Sequence, residues 1–198
     1  QAHDIQHISG YDGSASNYDI TDTAAALISA TDSVLNVDGV DIVTASDTSV
    51  SANIGGDLAG FSADIEFNVE DSANAIVAEV AASGFGPDGL DEANNLTVSG
   101  GNVGVADAAD IQSISGYDGS ASNYDITDTA AALISAGDHV LNATGVDVVA
   151  VDDVVTGSNV NANDGAILAG FTADVEFDVV DNAAGLIAEM GGVDPAGH

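Results

Sequence analysis

The chain has 198 residues, 33 of them Asp or Glu, with no Lys, no Arg and a formal charge of -33. That balance argues against nucleic acid as a partner, because phosphate binding needs basic side chains. It also means that no carboxylate can pair with a basic side chain of its own chain. With 45% hydrophobic residues and a mean hydropathy of +0.22, the sequence can still bury a core, unlike acidic sequences that stay disordered. Self-repulsion on this scale opposes compaction, so neutralising charge must come from cations, salt or a basic partner. Cysteine is absent, which removes disulfides and thiol chemistry. No apolar run reaches the length of a membrane span. The sequence opens at Gln1 without Met or a basic segment, as expected where a leader has been removed or never existed. The absence of Lys and Arg leaves no site for trypsin-like proteases, which suits a long-lived extracellular material.

In chain order, the first feature is the segment Ile8 to Ala30, ISGYDGSASNYDITDTAAALISA, which returns unchanged at Ile114 to Ala136. The offset is 106 there and 110 by Leu58 and Leu168, so the second copy carries four extra residues before Leu168. We therefore divide the chain into copies at 1–105 and 106–198. A finer unit recurs within each copy, at Tyr18, Phe67, Tyr124 and Phe177. It reads as alternating apolar residues, then Asp, then an Ala-rich run. Alternation predicts a strand, and Asp22, Asp71, Asp128 and Asp181 then fall where a helix N-cap belongs. Further strands are expected at Val40 to Thr44, Leu96 to Ser99 and Val146 to Val151, with helices at Ala106 to Ile114 and Asp164 to Phe171. Strands alternating with helices favour parallel pairing. A repeated coil of about 25 residues predicts an α/β solenoid. The alternative is all-β, either a parallel β-helix or tandem β-sandwich modules. Neither end looks like a cap, since QAHDIQHISG resembles the interior ADAADIQSISG. End-to-end stacking with other copies is therefore expected.

The motif YDITDTAAALISA, with FNVEDSANAIVAE and FDVVDNAAGLIAE, resembles repeats of large bacterial extracellular surface proteins: repetitive adhesins, S-layer-like proteins and calcium-associated exoproteins. The resemblance implies an exported structural role and calcium dependence. The glycine-aspartate nonapeptide that binds calcium in many exoproteins is missing, and GGNVGVADA at Gly100 only approaches it.

Candidate calcium ligands are Asp12, Asp19 and Asp22, with their copies Asp118, Asp125 and Asp128. They flank turns rich in Gly, Ser and Asn, and Ca²⁺ takes six to eight oxygens from carboxylates and carbonyls. Otherwise Asp12 shapes a turn and Asp22 caps a helix, while cations associate diffusely with the surface. There is no EF-hand loop. His3 and His7 are spaced to share a helix face, but two ligands make a poor metal site, and His139 and His198 stand apart. Asp64 with Glu66 and Asp174 with Glu176 have the spacing to share a strand face, as a glycosidase pair would require. No Lys, Arg or Trp accompanies them, so the sequence reads as a non-enzyme. The four aromatics that open the finer units are expected to pack in the core or at its rim. The sequence thus points to an extracellular structural protein that associates head-to-tail with copies of itself. The alternative is a spacer segment of a large repetitive adhesin.

Overall fold

The computed structural model describes residues 2–83, 89–152 and 160–190. The first copy runs α1 (Ala2–Gln6), a 3-10 turn (Gly13–Ala15), β1 (Tyr18–Asp22), α2 (Ala24–Ala30), α3 (Asp32–Leu35) and β2 (Val40–Ala45). It continues through α4 (Ala52–Ala59), β3 (Ile65–Glu66), β4 (Asn68–Asp71) and α5 (Ala73–Ser83). Strand β5 (Asn95–Val103) leads into the second copy. There the order is α6 (Val105–Ser113), β6 (Asn123–Asp128), α7 (Ala130–Ala136), α8 (Asp138–Leu141) and β7 (Val146–Val151). The described part ends with α9 (Ala162–Leu168), β8 (Val175–Glu176) and α10 (Ala183–Met190). Equivalent backbone bonds place Asp152 with Ser46 and Val160 with Val50. The four-residue insertion therefore falls at 153–159, outside the described residues, as does His198.

Local sequence explains the helices. Alanine is the strongest helix former, and AAALISA folds as α2 and again as α7. Each is capped by a threonine, Thr23 or Thr129, whose hydroxyl accepts the amide of Ala26 or Ala132 at 3.3 Å. Leu27 and Leu133 then turn inward and are buried. Between α2 and α3 the backbone needs a left-handed residue. The second copy supplies Gly137 at φ 71°, whereas the first places Thr31 there at φ 68°, a strained conformation for a β-branched side chain.

Two parallel sheets form, ordered β1-β2-β3 and β4-β5-β6-β7-β8. This corrects the expected solenoid: the chain is a mixed α/β fold with two separate sheets, not one continuous stack of uniform coils. The interruption lies at Phe67. Ile65 and Glu66 pair with β2, but Asn68–Asp71 pair with β5. The buried Phe67 ring lies between these short strands, where the chain leaves one sheet for the other. Connections are also uneven, with one helix between some strands and two between others, so no constant coil length develops. The all-β alternative fails because the Ala-rich runs are helical, giving ten α-helices among the described residues.

One apolar cluster runs through both copies, from Leu27 and Val43 through Val69, Ile76 and Leu96 to Tyr124, Leu133 and Leu168. Among the described residues no polar or charged side chain is fully buried. Of the four repeat aromatics, Phe67 and Tyr124 are core residues, and Tyr18 and Phe177 are half-buried. Phe67 and Phe177 lie just outside the strands they were expected to open. Tyr18 packs edge-on against Tyr11, with ring centroids 6.5 Å apart.

Candidate cation sites and the carboxylate ladder

The recurring aspartates at the strand ends are not N-caps. The cap is the next residue, Thr23 or Thr129. Instead three of them, Asp71, Asp128 and Asp181, each hold two backbone segments together. Asp71 accepts the Ser72 amide on Oδ1 at 2.8 Å and the Ala52 amide on Oδ2 at 3.1 Å. Asp128 accepts Thr129 at 2.7 Å and Val105 at 3.1 Å. Asp181 accepts Asn182 at 2.6 Å and Ala162 at 3.1 Å. Ala52, Val105 and Ala162 open α4, α6 and α9. The same rule serves α2, whose first amide, Ala24, donates to Asp47 Oδ2 at 2.7 Å. Each of these helix N-termini is thus closed by an aspartate 19 to 23 residues further along the chain. The first amides of a helix lack internal partners, and the helix dipole favours negative charge there. Four of the chain's acids are consumed in this way by its own backbone.

The six candidate calcium ligands divide by position. Asp12 accepts the Ser14 amide at 3.1 Å and its hydroxyl at 2.6 Å, shaping the 3-10 turn. Asp118 accepts the Ser120 amide at 3.0 Å and hydroxyl at 2.6 Å, the Ala121 amide at 3.3 Å, and Asn95 Nδ2 at 3.4 Å. The Ser120 hydroxyl, followed by Asn95, holds the Asp118 carboxyl below its ordinary range. Asp22 accepts the Thr23 amide at 2.8 Å. Asp19 is exposed and Asp125 partly so. Asp12 and Asp22 flank opposite ends of β1, which is about 13 Å long at 3.3 Å per residue. Asp118 and Asp128 are separated in the same way by β6. Among the described residues, no three His, Asp or Glu side chains gather around a common point that could hold a metal ion.

Other polar contacts had no clear sequence signal. Gln6 Nε2 donates to the Tyr18 hydroxyl and the Val34 carbonyl, each at 2.9 Å. Gln112 repeats this with Tyr124 at 2.8 Å and Val140 at 3.1 Å. The Tyr11 and Tyr117 hydroxyls donate to the carbonyls of Asp38 and Thr144. Gly39 and Gly145 make room for those phenols, since a Cβ at either would stand 2.4 Å from the hydroxyl. Asp138 accepts the Thr172 amide at 2.8 Å and the Ala173 amide at 3.2 Å, and these bonds, Thr172 first, hold its carboxyl below the usual range. The alignment of the two copies was the available clue, because at the offset of 106 Gln6, Tyr11 and Tyr18 recur as Gln112, Tyr117 and Tyr124.

Asp64 and Glu66 do share an exposed face around buried Ile65, as do Asp174 and Glu176 around Val175. Near the first pair, burial and then the Asp64 charge raise the Glu92 carboxyl. His139 is exposed on α8 and lines an open depression with Gln112 and Tyr117, a lining that contains no carboxylate. His3 lies within α1, and His7 follows it.

The ladder makes a direct prediction. Asp128→Ala should destabilise the fold by about 1–3 kcal/mol, because two helix-terminal amides lose a charged acceptor. Asp19→Ala removes the same charge without a ladder bond and should change stability by less than about 0.5 kcal/mol. Denaturant midpoints of the two variants decide it, and equal shifts would show that the ladder carries no stability.

Among the described residues no helix is long and apolar enough to cross a membrane. No protein-family model matches the sequence, and no curated protein or solved structure shows a significant match to it.

Proposed function

We propose that this chain is an extracellular structural protein that self-associates head-to-tail into a filament, sheath or surface layer, with cations neutralising its acidic surface. What supports this reading most is a difference between equivalent residues. The duplication supplies its own control: the same side chain occurs once inside the chain and once at an end. Ile114 is 2% exposed and its copy Ile8 is 61% exposed. Val69 and Ile76 are 1% and 0% exposed, whereas their equivalents Val179 and Leu186 are 41% and 40% exposed. Tyr124 and Ile126 are buried, and β6 is paired by β5. The identical Tyr18 and Ile20 are only half-buried, and among the described residues nothing pairs the other edge of β1. Apolar surface left open at both ends of a repeat invites a head-to-tail contact, which does not close on itself and so propagates.

The high negative charge sets the conditions. Like-charged molecules approach only when their repulsion is screened or neutralised. Electron microscopy of concentrated protein should therefore show linear or layered assemblies with divalent cations, and their loss in chelator. Protein that stays monomeric at high concentration in both conditions would overturn the reading. A stalk segment of a repetitive adhesin is the second reading. It is favoured by β5, which pairs with β4 and β6 and so carries one sheet across both copies. The length of the native polypeptide separates the two.

A further inference from the structure

The interior of the chain contains a template for the contact between molecules. Where the first copy meets the second, Val77 and Val80 of α5 face Ile111 of α6, with Asp107 and Asp110 at the rim of a small cleft of about 120 Å³. By the copy offsets, Ile187 on α10 is the equivalent of Val77, and Ile5 on α1 is the equivalent of Ile111. Val77 packs on the core and Ile111 is fully buried, yet Ile187 is 66% exposed and Ile5 is also exposed. Beside α1 the head of the molecule opens into a cavity of about 450 Å³, lined by Ile5, Tyr18, Ile20, Leu27 and Leu35. The second-copy equivalents of all five, Ile111, Tyr124, Ile126, Leu133 and Leu141, are buried. Ile5, Tyr18 and Ile20 are thus exposed or half-buried where their copies Ile111, Tyr124 and Ile126 are buried, while Leu27 and Leu35 are buried in both copies.

We infer that a second copy of this chain closes that cavity, with α10 of one molecule packing on α1 of the next as α5 packs on α6. The inference rests on the head-to-tail reading and names its contact. Ile187 and Leu186 supply the tail surface, and Ile5 with the cavity beside it supplies the head. The contact is apolar by necessity, since the chain has no Lys or Arg to meet Asp4, Asp19 and Asp22 at the head. Those carboxylates must be screened for the apolar surfaces to meet.

The absence of native cysteine permits a clean test. Ile5→Cys and Ile187→Cys each introduce a single thiol at an exposed position, so the monomer should fold as before, which circular dichroism checks. The two variants are mixed with divalent cation and a short thiol-to-thiol crosslinker. The expected product is a covalent dimer joining one variant to the other, and a chain carrying both substitutions should give a ladder of multimers. Dimers of like variants alone, closure within one chain, or no product at all would overturn the inference. If microscopy still shows assemblies in those cases, head-to-tail association through this contact falls while self-association stands. If assemblies are also missing, both fall. As a second arm, Leu186→Asp should raise the concentration needed for assembly about tenfold or more, because a carboxylate enters the apolar contact. An unchanged assembly concentration would count against α10 as the tail surface.

Discussion

Ile126→Ala should lower stability by about 2–5 kcal/mol, the range for truncating a buried isoleucine, while Ile20→Ala should cost less than half as much. The two residues sit in identical segments, so local propensity and immediate neighbours in sequence are the same. They differ in what covers them. Ile126 is fully buried and lies on a strand flanked by β5 and β7. Ile20 is half-buried on a strand that, among the described residues, pairs only with β2. For a chain of this size, 1 kcal/mol shifts the melting temperature by about 2–4 °C, so the two variants should separate clearly in a thermal melt. The measurement belongs at low protein concentration, where molecules stand apart. Equal losses there would mean that the β1 edge is covered in the isolated molecule, and the argument for an open head would fail. At concentrations that permit assembly, the Ile20→Ala loss should grow toward that of Ile126→Ala.

The second large effect concerns ions. In about 0.01 M salt the screening length is about 30 Å, so most carboxylates in the molecule repel one another, and in about 0.15 M salt it falls to about 8 Å. We expect the unfolding temperature to rise with salt and more steeply with divalent cations, and ordered secondary structure to weaken in low-salt chelator. A melting temperature unmoved by either treatment would refute this. Acid acts through two opposed contributions. The Asp118 and Asp138 carboxyls are held low by hydrogen bonds in the folded chain. Their stabilisation is present above the unfolded carboxylate value and is lost as pH falls through their depressed values. Glu92 is raised by burial, so its contribution is present below the unfolded value and is lost as pH rises through the raised one. Meanwhile protonation of the whole surface removes net charge. Approach to the isoelectric point of about 4.1 should therefore raise light scattering before the two held aspartates are protonated. Flat scattering through that range would show that charge is not what keeps the molecules apart.

The amino-acid sequence by itself determined the charge, the duplication and the alternation of strands with helices. It also placed β2 and β7 within a residue of their true bounds, because β-branched alternation and Ala-rich runs act over a few neighbouring residues. It placed the recurring aspartates at the right boundary but with the wrong task. The cap belongs to the residue beside them, Thr23, Ser72, Thr129 or Asn182, and the second oxygen of Asp71, Asp128 or Asp181 reaches an amide 19 to 23 residues earlier in the chain. Only the tertiary structure decided three further things: the change of sheet at Phe67, the wide separation of Asp12 from Asp22, and the unequal fates of two identical segments. Each depends on which distant strand or helix lies alongside, and nothing in the local spacing of residues records that neighbour. A repeat in sequence fixes what each copy can bury, whereas the position of the copy in the fold fixes what it does bury.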